Sequence, residues 1–194
     1  MSHSARLDVT LDSFWVRVRS RIPDLPEAMP EAWAFGATTE HADDLLALVL
    51  AGTKTGTASA MWDIEADGES VPEVGELSII LDGRGRPRAL IETTAIDIVP
   101  FCEVTAEHAH SEGEGDRTLA AWREIPERFW QEHGQRGFAP EMPVVCERFR
   151  LLFDLEDEGR VSVGSWCGQL VLAVGAVSWC WQLVLAVGVG SWCR

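Results

Sequence analysis

At 194 residues the chain is long enough for one domain with a real core, and 31 Asp and Glu against 16 Lys and Arg give a formal net charge of −15. No dense run of Lys or Arg is present, so tight binding to a long nucleic-acid backbone is disfavoured unless Arg84, Arg86 and Arg88 join into a local patch. Five cysteines without a C-x-x-C pair, behind the polar start Met1-Ser2-His3-Ser4, favour free thiols in a reduced, cytoplasmic setting.

In chain order, residues 12 to 21 suit a short amphipathic helix with Phe14, Trp15 and Val18 on one side, ended by Pro23, Pro26 and Pro30. Trp33 to Gly36 reads as a short apolar strand, with Thr38-Thr39 as a helix cap. From Glu40 to Ala51, Ala42, Leu45, Leu46 and Val49 recur at helical spacing, and Gly52 suits the stop. Thr57 to Glu65 is expected to run extended and to turn at Asp67-Gly68. Leu77 to Leu81 and Pro87 to Val99 read as strands joined at Asp82-Gly83. Period-two counting places Glu92 on a face with Leu90, Thr94 and Ile96, toward apolar surroundings. Val104 to His110 reads as helix, and Asp116 as the cap of a helix burying Leu119, Trp122, Phe129 and Trp130, with a kink expected at Pro126. Met142 to Leu155 reads as a final strand, with Val145, Glu147, Phe149 and Leu151 on one side.

The remainder is a different kind of sequence. Ser-Trp-Cys recurs at 165, 178 and 191, a period of thirteen, and no charge lies between Arg160 and Arg194. That period matches none of the usual solenoids. The length would satisfy the crude requirement of roughly 20 apolar residues for a membrane span, but Gly, Ser and Gln content and the lack of a flanking basic cluster argue against one. A disordered or artefactual, aggregation-prone extension is the favoured reading.

Chemistry concentrates at Gly52-Thr53-Lys54-Thr55-Gly56-Thr57-Ala58-Ser59. Lys54 is the single lysine, and unlike Arg it can lose its proton when desolvated. The spacing is not that of a Walker phosphate loop. It offers Lys54 and Thr57 three residues apart, with Thr55 and Ser59 beside them: an amine able to take a proton from a hydroxyl that then attacks a carbonyl, and Glu92 to orient the amine. Trp33, Phe35, Trp62, Trp122 and Trp130 read mostly as core; one or two could stack a base, and Trp62, five residues past Thr57, is best placed by sequence to reach such a pocket. His108 and His110, with Glu107 and Cys102, could bind zinc only if all four converged, and a solvated helix end is the simpler reading. The loop from Glu112 to Asp116 lacks the ligand pattern of a calcium hand and reads as a solvated cap. No metal or cofactor is implied.

The runs ADDLLALVLAGTKTGTASAMW, VPEVGELSIILDGRGRPRALIETTAIDIVPF, EGEGDRTLAAWRE and MPVVCERFRLLF, in that order over residues 33 to 155, resemble the ASCH domain, in its longer bacterial subfamily. The resemblance implies an α+β, PUA-like fold: a small mixed β-barrel flanked by helices, with the apolar repeat tail foreign to it. It implies a 1–32 helical extension, a 33–158 domain and a 159–194 tail outside the fold. It also implies a cleft for a nucleoside or RNA base. Some small relatives hydrolyse the acetyl amide of N4-acetylcytidine with a Lys, a Thr three residues later and a Glu on a following strand. By that likeness Lys54 would be the general base, Thr57 the nucleophile and Glu92 the carboxylate, with Thr55, Ser59, Trp62 and Phe35 around the substrate. Ser59 stands where those relatives carry an arginine, and Pro126 interrupts a helix usually free of proline. The expected function is therefore base or nucleoside binding with hydrolysis of an acylated nucleobase. The alternatives are a non-catalytic RNA- or ligand-binding regulator and, third, a ribonuclease. No DNA partner is expected.

Overall fold

The computed structural model describes residues 9–156, so the expected tail and the start of the N-terminal extension lie outside the described residues. The order is α1 (Leu11–Arg21), β1 (Glu31–Trp33), α2 (Thr39–Leu50), β2 (Gly56–Ala60), α3 (Met61–Asp67), β3 (Leu77–Leu81), β4 (Pro87–Pro100), α4 (Ala106–Glu112), α5 (Leu119–His133) and β5 (Pro143–Asp154), with one 3₁₀ turn at Phe101–Glu103. The five strands form one curled half-barrel sheet in the order β1-β3-β4-β5-β2. β1 pairs parallel with β3, and the other pairings are antiparallel. The sheet does not close: β1 and β2, its two edges, are left facing a gap.

Alternation along the central strands sends neighbouring residues into different packing layers. Ile79 and Leu90 meet Phe14, Trp15 and Val18 of α1, while Ile80, Ala89 and Ile91 meet Leu45, Leu46 and Val49 of α2. The third cluster gathers Phe101, Trp122, Trp130, Met142, Val144 and Cys146 under α4 and α5. Each fully buried large side chain contributes about 1.5–3 kcal/mol of transfer free energy. Caps fix the helix starts as the sequence suggests: Thr38 accepts from the His41 N–H, and Gly52 takes φ +70° past the end of α2.

Two expectations are corrected. The extended run after Thr57 ends at Ala60, because Met61, Glu65 and Ala66 are good helix formers, Asp63 sits in the first turn and Gly68 supplies a left-handed stop at φ +72°. The cap of α5 is Thr118, whose hydroxyl accepts from the Ala121 N–H, and Asp116 stands behind it, accepting from Thr118 N–H and Oγ. Helix α5 continues from Leu119 to His133 with Pro126 inside it and no restart, and Trp122 and Trp130 are buried on either side.

The turn between β3 and β4 is built around Asp82, only 2% exposed. Its Oδ1 accepts the N–H groups of Arg84 and Arg86, and its Oδ2 takes Arg86 Nε at 2.9 Å and lies 3.7 Å from Arg88 Nη1. Arg88 also reaches Glu156 at 2.8 Å. Two members of the imagined basic patch are thus spent on structure. Burial raises the Asp82 pKa, but the hydrogen bonds from Arg86 and Arg84 and the Arg86 charge outweigh it, leaving the group below the ordinary carboxylate value. Asp82→Ala is expected to lower stability by about 2–4 kcal/mol in urea unfolding at neutral pH. Because the folded-state pKa is lowered, that contribution is present above the unfolded value and is lost as pH falls through the folded one, so the gap between wild type and variant should narrow in acid.

Candidate functional site

The gap between the edge strands is a cleft of about 640 Å³. Glu31 and Trp33 line it from β1, Thr57 and Ser59 from β2, Asp63 and Asp67 from α3, and Glu147 from β5. Phe35, just past β1, packs edge-on against Trp33 at 4.6 Å between ring centroids, and both rings form one wall. Of the sequence-derived site residues, the structure therefore brings Phe35, Thr57 and Ser59 to the cleft.

Lys54 lies behind that wall. It is 1% exposed, and its ammonium sits 5.4 Å from the centroid of the Phe35 ring. Its Nζ donates to Glu112 Oε2 at 3.1 Å, Glu114 Oε1 at 3.2 Å and the Glu112 carbonyl at 3.4 Å. Three acceptors match the three N–H donors of an ammonium, which leaves no lone pair directed at Thr57. The backbone makes this clamp possible. Gly113, at φ +77°, crosses so close that a Cβ there would stand 2.9 Å from the Thr53 carbonyl, and the Thr55 N–H donates to the Ser111 carbonyl at 2.7 Å. Gly56 is equally confined: a Cβ would lie 2.4 Å from Ser111 Oγ. The loop expected to be a solvated cap is instead the lysine's socket.

Glu112 is buried and further held by the Trp122 indole N–H at 2.8 Å, with His108 Nε2 3.3 Å away but outside hydrogen-bond geometry. Burial pushes its carboxyl up; the Lys54 charge, then His108 and Trp122, overcome that and hold the pKa below the usual value.

Glu92, the expected carboxylate partner, is elsewhere. Arg150 donates to its Oε2 from Nε at 2.7 Å, a surface pair across β4 and β5. The register shift between Thr93 and Ala95, which leaves Thr94 as an extra residue on β4, breaks the alternation that grouped Glu92 with Thr94 and Ile96. Trp62 packs against the cluster under α5, and Thr55 opens on a second cleft of about 580 Å³ with Arg148 and His108. Cys146, also there, is buried, and burial, Glu112 and Asp97 push its thiol up to about 12, so it is no ready nucleophile. Among the described residues no three of His, Cys, Asp and Glu converge as a metal site; His110 instead takes hydrogen bonds from Arg117.

Glu147 is a cleft residue that the sequence reading placed on the final strand but not in the site. Glu147 is directly opposite Thr57 in the β2–β5 ladder. It is 7% exposed, and Thr93 Oγ1 donates to its Oε1 at 2.6 Å. Its pKa is raised, first by burial, with the Thr93 bond opposing and Glu76 adding to the rise. The available signal was its place on the inward alternation of a strand otherwise rich in Val, Phe and Leu.

Residues 31–153 match the model of the ASCH domain. A crystallised protein from Enterococcus faecalis is 32% identical, with 83% of this chain and 97% of that one covered at a TM-score of 0.69. An ASCH domain from Lactobacillus crispatus is 27% identical over 72% of this chain and 92% of that one, at a TM-score of 0.64. No curated protein matches. Among the described residues no helix is long and apolar enough to cross a membrane.

Removing Lys54 strands a buried carboxylate. Lys54→Met is expected to cost about 3–5 kcal/mol in urea unfolding, and adding Glu112→Gln should recover part of that loss. Glu112, with its lowered pKa, stabilises the fold above the unfolded carboxylate value and stops doing so as pH falls through the folded one, so the wild-type advantage over the double variant should shrink in acid.

Proposed function

The chain belongs to the ASCH domain family, generally RNA-binding, and we propose that its edge-strand cleft binds a nucleoside or an exposed RNA base. The lining carries this reading: the Trp33–Phe35 wall stands beside the hydroxyls of Thr57, Ser59 and Ser78 and the carboxyl of Glu147. Stacking on an aromatic ring contributes about 1–3 kcal/mol per base, and the volume falls within the roughly 300–1,000 Å³ of small-ligand sites. Among the described residues no Lys or Arg lines the cleft, so phosphates gain nothing there. A free nucleoside or a splayed base fits better than a polymer backbone, and duplex DNA is not an expected partner.

The catalytic form of this reading is hydrolysis of an acylated nucleobase such as N4-acetylcytidine. Thr57 Oγ would attack the amide carbonyl, its proton passing to Glu147 and on to the leaving amine; water then cleaves the acyl-threonine. Here Lys54 and Glu112 hold the wall, since the donors of Lys54 are already taken. That same occupancy favours the second reading, a binding module without chemistry.

Calorimetry with cytidine and N4-acetylcytidine tests binding, and chromatography of the products tests turnover. Thr57→Ala and Glu147→Gln are expected to slow deacetylation by about a hundredfold or more while leaving the fold intact. A base must be ionised, so the rate should fall as pH drops through a value above the ordinary carboxylate range. Binding without turnover above the Thr57→Ala background selects the module; absence of binding to any nucleoside refutes the proposal.

A further inference from the structure

The charge of the cleft is one-sided. Glu31, Asp63, Asp67, Glu69, Glu76 and Glu147 line it, and no Lys or Arg does among the described residues. The protein groups that bond these acids are neutral. Asp63 and Asp67 accept from the backbone N–H and side-chain amide of Gln135, and Glu76 from the backbone N–H of Glu73. Lys54, behind Phe35, is already held between Glu112 and Glu114.

Glu147 feels this most because it is the most enclosed. Thr93 satisfies Oε1, and Oε2 has no hydrogen-bond partner among the described residues. Thr57 stands opposite on β2, and Glu76 brings a second negative charge from the approach to β3. A carboxylate removed from water without a cation is costly. The face of an aromatic ring attracts positive charge as well. A flat organic cation satisfies both demands, whereas a neutral ring satisfies only the stacking.

We propose that the cleft selects a nucleoside whose base carries a positive charge, an N-alkylated base, over its neutral parent, and that Glu147 makes the selection by accepting a hydrogen bond from the base's exocyclic N–H. This rests on the nucleoside reading of the same cleft and names the class of nucleoside. Neutralising the cation's partner weakens the charged ligand and leaves the stacking contribution to the parent in place.

Calorimetry on the full chain near neutral pH compares 1-methyladenosine with adenosine and 3-methylcytidine with cytidine. The methylated member of each pair is expected to bind about tenfold more tightly or better. Glu147→Gln keeps the shape and the acceptor for Thr93, and should bring each pair to within about threefold. Glu76→Gln, at an exposed position, should reduce the ratio in part and serves as the folded variant if Glu147→Gln melts early. Equal affinity within each pair overturns the selection while sparing the nucleoside reading. An unchanged ratio in a folded Glu147→Gln removes Glu147 from it, and no binding by any of the four removes both.

Discussion

A buried ammonium gripped by two carboxylates from one tight loop is the constraint around which the site is arranged. Taking Lys54 out of water is unfavourable by several kcal/mol unless its donors are met, and Glu112 and Glu114 meet them from 58 and 60 positions away. The pairing fixes the approach to β2 against the end of α4, and through Phe35 it backs the aromatic wall. Glu112 extends the hold to Trp122 on α5. One ionic cluster thereby ties β2, α4 and α5 to the wall a ligand would touch.

The two faces of β5 divide the labour. Val145 and Glu147 look into the edge-strand cleft, while Cys146 and Arg148 look into the second one. Carboxylates dominate the first; the second holds an arginine and a histidine alongside Asp97 and Glu107. The overall negative charge is therefore more than a property of the solvent-facing surface. Six of the carboxylates line the edge-strand cleft, and this argues for a ligand recognised there by its ring rather than by its phosphates.

What could be read from the sequence was what depends on near neighbours. The helices over 11–21 and 39–50 follow from apolar spacing and a threonine cap, and β3 from an unbroken aliphatic run. Phe35, Thr57 and Ser59 were reachable because one short segment and the alternation of β2 place them. Glu92 was misplaced because register shifts in the β4–β5 ladder are invisible to period-two counting, and the partner it finds, Arg150, lies 58 residues on. Glu112 was taken for solvated cap because an acidic, glycine-containing loop looks the same whether it faces water or a lysine far away in the chain. The family resemblance supplied the overall architecture, which no local pattern contains.

The unclosed seam has a mechanical side. β1 and β2 share no ladder, so their separation is set by the curvature of the three strands between them rather than by rungs that would have to break. A guest slightly too wide can be admitted by uncurling β3, β4 and β5 a little, with every interstrand bond kept. On the proposed reading, tolerance toward ligand width would be built into the sheet as elasticity, and the chemistry of the lining would be left to decide identity.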